Sequence, residues 1–228
     1  MKKKKNYKLR WLFIGLMGII VSLSFYFRDD LLDFWYEHTT KSVMYPEFGI
    51  AIPTGYKLHG IDVSRYQDNI NWGLVKEMKI RDVKIDFVFV KATEGMNDVD
   101  KFYKRNWKKL KEKKIHRGAY LYFLPYRDGV WQAKNFIKNV ELQKGDLPPV
   151  VDIEEIGRTQ PDVLKTRLKD CLKILEEHYK AKPILYSYVN FYEDYLGDDF
   201  NEYALWAAHY FENDKPRIKR NWHFWQHS

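Results

Sequence analysis

The chain has 228 residues and a formal net charge of +8, but seven of its 39 Lys and Arg residues stand before residue 29, with no Asp or Glu among them. Setting those seven aside leaves 32 basic against 31 acidic residues, a net of +1. A domain so balanced lacks the positive surface that phosphate backbones need, which excludes nucleic acid as its partner; the single cysteine, Cys171, excludes an intrachain disulfide.

Residues 1–10 are strongly basic, and residues 11–27 (WLFIGLMGIIVSLSFYF) then run without a charge. A helix of that length spans about 25 Å at ~1.5 Å per residue, close to the ~30 Å core of a bilayer. Trp11 at one edge and Phe25, Tyr26 and Phe27 at the other suit the two interfaces, and the basic residues before the run keep that end in the cytoplasm. The run therefore reads as one N-terminal transmembrane helix. Ser22-Leu23-Ser24 also allows the alternative of a cleaved signal peptide. Either reading places the chain beyond residue 27 outside the cytoplasm, anchored in the first case and secreted in the second. Residues 28–59 read as a stalk: a short helix over 30–41, then extended or irregular chain from Ser42 to His59, punctuated by Pro46, Gly49, Pro53 and Gly55.

From residue 60 to 228 short apolar stretches alternate with helical patterns. Strands are expected at 60–63, 87–91, 118–123, 149–153, 183–188, 204–207 and 222–226, rich in Val, Ile, Tyr, Phe and Trp. Helical spacing links Ile70, Leu74, Val75 and Met78, then Val99, Phe102, Trp107 and Leu110. It links Val130, Ala133, Phe136, Ile137 and Val140 next, and last Leu164, Leu168, Cys171, Leu172, Leu175 and Tyr179, with Pro161 in the first turn. Such alternation implies an α/β domain with a mainly parallel sheet, either barrel or open. Cys171 falls on the apolar face of its helix and reads as a buried, inert thiol. No His/Cys cluster has metal-ligand spacing and no Gly-rich loop is built to cradle phosphate, so neither metal nor cofactor is expected.

Carboxylates at strand ends carry the chemistry. Asp152 and Glu154 close the apolar strand in PPVVDIEE; two residues apart in extended chain, they share a face, and Glu155 points away. Asp62 ends another strand in HGIDVSRYQ, and Glu94 follows a third in FVFVKATEG. Any one of these could simply cap a helix or pair with Lys or Arg. Together, at the carboxyl ends of parallel strands, they suit glycoside cleavage. One acid protonates the leaving oxygen, another stabilises or attacks the sugar, and their mutual repulsion holds their pKa values apart.

The motifs HGIDVSRYQ (59–67), FVFVKATEG (87–95), RGAYLYF (117–123), PPVVDIEE (148–155), PILYSY (183–188), LWAAHY (205–210) and FWQHS (224–228) resemble, in order and spacing, those of glycoside hydrolase family 25, the Chalaropsis-type lysozymes. The resemblance implies an irregular, flattened, TIM-like β/α barrel with a groove at the carboxyl ends of its strands. It implies a retaining muramidase that cuts β-1,4 bonds between N-acetylmuramic acid and N-acetylglucosamine, working as a monomer on peptidoglycan. Glu154 matches the general acid/base. Asp152 matches the nucleophile, or the group orienting the substrate's own acetamide, and Asp62 matches a third acid. Tyr66, Glu94, Tyr120, Tyr122, Tyr186, Trp206 and Gln226 match positions that bind substrate or shape the cleft. Family members continue past the Trp-Gln motif with a closing segment that often supplies another acid, whereas this sequence ends at Ser228; the expectation is either a fragment or a barrel that ends open. Two other readings compete. A barrel could grip peptidoglycan without cutting it, but intact Asp62, Asp152 and Glu154 argue against that. A chitinase-like glycosidase needs a further upstream Asp where this chain has Val150.

Overall fold

The computed structural model describes residues 27–28 and 41–228. The basic tail, the apolar run up to Tyr26 and residues 29–40 of the stalk lie outside the described residues. Among the described residues no helix is long and apolar enough to cross a membrane.

Strands β1 (Ser42–Tyr45) and β2 (Ile50–Pro53) form an antiparallel hairpin with Val43 opposite Ile52. The chain expected to be extended or irregular after Ser42 is thus extended over these two strands, which pair with each other. Pro46 and Gly49 break neither strand. They lie in the turn between them, where Phe48 N and Gly49 N both donate to Tyr45 O (3.0 and 2.9 Å). Tyr45 and Ile52 bury themselves with Val83 in a small core of their own, and the Tyr45 hydroxyl donates to Asp82 Oδ1 at 2.6 Å. The hairpin is thus fastened to the larger domain beside it.

That domain is built on β3 (His59–Val63), β4 (Lys79–Ile80), β5 (Val83–Glu94), β6 (Asp98–Val99), β7 (His116–Tyr122), β8 (Val150–Asp152), β9 (Ile184–Tyr188), β10 (Ala204–Ala208) and β11 (Phe224–Gln226). All seven expected strands are present, and they lie side by side in chain order, parallel throughout: β3, β5, β7, β8, β9, β10, β11. The two-residue strands β4 and β6 pair antiparallel with β5. Val99 therefore sits opposite Thr93 in β6 and not in the helix expected there. The helices are α1 (Trp72–Glu77), α2 (Tyr103–Glu112), α3 (Gly129–Asn139) and α4 (Pro161–Tyr179). Their starts follow local chemistry. Asn71 Oδ1 accepts from Gly73 N and Leu74 N, Asp128 Oδ1 accepts from Trp131 N, and Pro161 opens α4, where its missing N–H costs nothing.

Period-two alternation divides the sheet into two faces. Val88, Val90, Leu121, Val151, Leu185 and Leu205 point outward and are buried with helix residues such as Leu110, Phe136, Leu168, Cys171 and Leu172. Phe89, Tyr120, Val150, Ile184, Tyr186 and Trp206 point inward into a second core, rich in aromatic rings. The rings explain two glycines. A Cβ on Gly60 would lie 2.2 Å from the Phe87 ring, and one on Gly118 would lie 2.4 Å from the Phe89 ring.

The sheet curls into a half-barrel and does not close: among the described residues β3 pairs only with β5, and β11 only with β10. The expected irregular, flattened β/α barrel thus takes the form of a curled, open half-barrel. Side chains meet across the seam, with the Phe87 ring of β5 edge-on to the Phe224 ring of β11 at 5.5 Å and Gln226 of β11 reaching Asp62 of β3. Rings of this bulk fill the space between the edges and keep their backbones beyond ladder distance. A cavity of about 760 Å³ follows the seam from the hairpin at Ile50 and Ile52 to Asp62, Trp206 and Gln226.

Candidate active site

The inward positions at the carboxyl ends of the strands exchange rings for acids. On β8, Val150 belongs to the aromatic core; Asp152, next on the same face, pairs in register with Tyr122 of β7 and Tyr186 of β9. Glu154 lies one step further, just past the strand. On β3, Asp62 accepts a hydrogen bond from the Gln226 amide of β11 (Oδ2, 2.7 Å). Asp62, Asp152 and Glu154 thus converge from opposite sides of the curl, and the charge of Asp62 pushes up both Asp152 and Glu154.

Burial is the largest influence on all three acids, and it drives all three pKa values up. Asp152 is held well above the usual carboxylate range by burial, then by the charge of Glu154 and a hydrogen bond with it. Glu154 is also raised, but less, because hydrogen bonds from Asp152 and Tyr186 favour its ionised form. In the resting pair Asp152 is therefore the acid more strongly held in its protonated form, and the two titrate as a unit. Asp152 Oδ1 is buried with no hydrogen-bond partner, an atom left for something else to meet.

Lys91 supplies the opposing charge, through a slip in the strand. The register of β5 against β7 shifts between Lys91 and Thr93: Lys91 pairs with Tyr120, Thr93 with Leu121 and Glu94 with Tyr122. The extra residue, Ala92, is a bulge that re-phases the alternation, so that Lys91 and Glu94 face inward together. Lys91 is only 8% exposed; its ammonium donates to Glu94 Oε2 at 2.6 Å and lies 4.5 Å from the Tyr122 ring centroid. Its charge lowers the pKa values of Asp152 and Glu154 against the effect of burial. Glu94 is thus a counter-ion, with Arg65 at 3.8 Å as its second partner.

The remaining expected residues divide. Gln226 is a hub: Tyr186 and Tyr210 both reach its Oε1, at 2.7 and 2.6 Å, while its amide donates to Asp62. Tyr120 and Tyr122 adjoin the acids, and burial followed by carboxylate charge pushes their phenols up, so both stay protonated donors. Trp206 forms the floor, stacked on Phe89 at 4.6 Å and edge-on to Tyr186 at 4.7 Å. Tyr66 is not drawn into the cluster. Ser64 caps the turn after β3 and Gln67 Oε1 accepts from Ser64 N, which leaves the Tyr66 ring 78% exposed with Arg65 beside it. Sequence reasoning missed Lys91, Tyr188 and Tyr210. The quoted motifs FVFVKATEG, PILYSY and LWAAHY contain all three, and the i, i+2 rule applied to Tyr186, Tyr188 and to Trp206, Ala208, Tyr210 points both tyrosines inward. Among the described residues no group of His, Cys, Asp or Glu is arranged to hold a metal ion.

An open β/α barrel with paired carboxyls at its carboxyl end, backed by a third acid and a buried cation, is the apparatus of a glycoside hydrolase. Residues 61–228 match the family model described as glycosyl hydrolases family 25, and the chain belongs to that family. It is similar to the YegX protein of Escherichia coli strain K12, 38% identical over 225 residues that cover 94% of this chain and 81% of that one. It is also similar to lysozyme M1 of Streptomyces globisporus, 30% identical over 187 residues, 75% of this chain and 62% of that one. Among solved structures it resembles a family 25 glycosyl hydrolase from Bacillus anthracis, with a TM-score of 0.70 and 30% identity over 84% of each chain.

Proposed function

We propose that this chain is a muramidase: it hydrolyses the β-1,4 bond between N-acetylmuramic acid and N-acetylglucosamine in peptidoglycan, with retention of configuration. The observation that carries the reading is the pair of carboxyls, Asp152 and Glu154, two residues apart on one face at the carboxyl end of β8, each shifting the pKa of the other. Inverting glycosidases separate their carboxyls by about 6.5–9.5 Å to admit a water between them, and retaining ones by about 5–5.5 Å. Two carboxyls at i and i+2 on one strand face suit the closer of these spacings. The names of similar proteins, lysozyme M1 and the autolytic lysozyme of Clostridium acetobutylicum, support peptidoglycan as the substrate.

The glycan lies along the carboxyl ends of the strands. A proton moves from Asp152 to Glu154, leaving Asp152 ionised beside Lys91. Glu154 gives the proton to the bridging oxygen. Asp152, or the substrate acetamide that it orients, stabilises the positive charge growing on the sugar carbon. Glu154 then takes a proton from water as that water attacks, which restores the resting pair. Each step needs only side chains, so no cofactor is invoked. The apolar run over residues 11–27 would hold the enzyme in the membrane with the domain outside the cytoplasm, which suits wall remodelling within a tether's reach of one membrane.

The test is product analysis. The purified full chain and its Glu154→Gln variant are incubated with purified peptidoglycan, and the fragments are reduced with borohydride and weighed by mass spectrometry. Reduced muramic-acid ends from the wild type, absent with Glu154→Gln, are expected. Reduced glucosamine ends would overturn the muramidase reading. A folded wild type that pellets with peptidoglycan but releases nothing would make the domain a binding module.

A further inference from the structure

Gln226 joins β11 to β3 across the open seam, and its amide can be seated in two orientations of nearly the same shape. Only one is useful to Asp62. With the amide N–H toward Asp62 Oδ2 at 2.7 Å, an ionised Asp62 is stabilised; with the carbonyl there instead, two acceptors would collide and Asp62 would have to keep a proton. What selects the orientation must therefore act at the other end, on Oε1.

Two phenols reach that oxygen, Tyr186 at 2.7 Å and Tyr210 at 2.6 Å. A phenol has one proton to give. Tyr186 also hydrogen-bonds Glu154 and stabilises its ionised form. When Tyr186 serves Glu154 it cannot hold Gln226. Among the described residues Tyr210 reaches Gln226 and the tyrosines Tyr186 and Tyr188 around it, and its ring is braced edge-on against Tyr188 at 5.8 Å.

We infer that Tyr210 is a positioning residue: its hydroxyl locks the Gln226 amide so that the amide always donates to Asp62 and holds that carboxyl as an anion, which frees Tyr186 for Glu154. The inference rests on the muramidase reading for its link to rate, but the lock itself is a statement about hydrogen bonds. The groups that face Asp62 are Tyr120 from β7, Asp152 and Glu154 from β8, and Gln226 from β11. His59 and His227 line the cavity onto which Asp62 opens. Of these, Gln226 alone is a side chain that lowers the Asp62 pKa by a hydrogen bond. Losing the lock must therefore raise it.

The experiment tracks the Asp62 carboxyl carbon by NMR titration of the full chain, its resonance assigned by its loss in Asp62→Asn. It compares the wild type with Tyr210→Phe, Gln226→Met and the double variant. Tyr210→Phe keeps the ring and removes only the hydroxyl, so the packing against Tyr188 survives. The Asp62 midpoint is expected to rise by half a pH unit or more in Tyr210→Phe and further in Gln226→Met. In the Gln226→Met background, Tyr210→Phe should add nothing. In parallel, the acid limb of the pH profile for peptidoglycan release should move up in Tyr210→Phe, so that the loss on the acid side exceeds the loss at the optimum. If Asp62 moves in Gln226→Met but not in Tyr210→Phe, Tyr210 is not the lock. If it moves in neither, or if activity falls equally at every pH, the inference is overturned. A wild type that releases no fragments would overturn the muramidase reading alone, since the carboxyl titration needs no turnover.

Discussion

The two faces of the sheet are built from alternate residues of the same strands, yet they solve opposite problems. The outer face is mostly apolar: Val88 and Val90, Ala119 and Leu121, Val151 and Ile153 are all fully buried against helices, with Thr93, Arg117 and Ser187 as its buried polar residues. The inner face is mixed. Its lower half packs rings, with Phe89 on Trp206 and Phe87 against Phe224; its upper half buries Lys91 and Asp152 and leaves an Asp152 oxygen unpartnered. Stability is concentrated on the first face, and the second spends part of it to hold charges where water would otherwise screen them. Because side chains alternate with period two, a one-residue slip exchanges the two roles. Ala92 shows such a slip put to use: the bulge there turns Glu94 toward Lys91, where regular alternation would have turned Thr93 inward.

The sharpest way to break this comparison is on the inner face. Glu154→Gln should lower the rate of peptidoglycan release by about 10²–10⁴-fold, the usual worth of a general acid/base, while its far-UV circular dichroism stays that of the wild type. A variant that unfolded would show that Glu154 serves packing as well. The matching test on the outer face is Leu121→Ala. It should cost about 2–5 kcal/mol in a urea titration, as truncation of a buried leucine does, and leave the specific activity of the folded fraction intact. Loss of activity without loss of stability there would erase the distinction between the faces.

Smaller effects sharpen the picture. Asp152 is an acid whose folded pKa is raised, so its ionisation opposes folding. The penalty is absent near and below pH 4, where the unfolded carboxyl is also protonated, and it grows as pH rises through the raised folded value. Asp152→Asn should therefore be inactive but more stable than the wild type at pH 7. Its midpoint should rise by roughly 2–4 °C, the shift that ~1 kcal/mol gives a domain of this size, and the gain should vanish below pH 4. Calorimetry at the two pH values checks the sign. Lys91→Met should act on the same acids from the other side. Lys91 lowers the pKa values of Asp152 and Glu154, so its removal should carry the basic limb of the rate profile to higher pH. Tyr66→Ala, on a ring that is largely exposed, should change stability by no more than about 0.5 kcal/mol; any fall in activity on polymeric peptidoglycan then reports a lost glycan contact.

Much of this architecture is legible in the sequence, for reasons that can be assigned. Strands 60–63 to 222–226 are visible because buried parallel strands are nearly continuous apolar runs, and α4 because Leu164, Leu168, Cys171, Leu172 and Leu175 keep one face over successive turns. Asp62, Asp152 and Glu154 are visible because acids closing apolar strands are costly and conspicuous. The hairpin is not, because Pro46 and Gly49 look the same whether they break a strand or turn one. Nor is the inward turn of Glu94, since a bulge is a matter of register with β7 and leaves no mark in the local pattern. Trp206 groups with the cleft residues in the sequence because an indole at a strand end can hold a sugar or a core; only its stack on Phe89 distinguishes the two. The open seam depends on how far the whole sheet curls, which no single segment encodes.

The central proposal is that Asp152 and Glu154, two residues apart on one strand face, work as the pair of a retaining enzyme, so that bond cleavage proceeds by double displacement. Its most direct test is the anomer first formed. A proton NMR spectrum recorded within seconds of adding the full chain to soluble glycan fragments should show the β-anomer of the new muramic-acid end appearing first and then mutarotating. An α-anomer appearing first would mean that water attacks from the opposite face, and would contradict the roles assigned to both carboxyls.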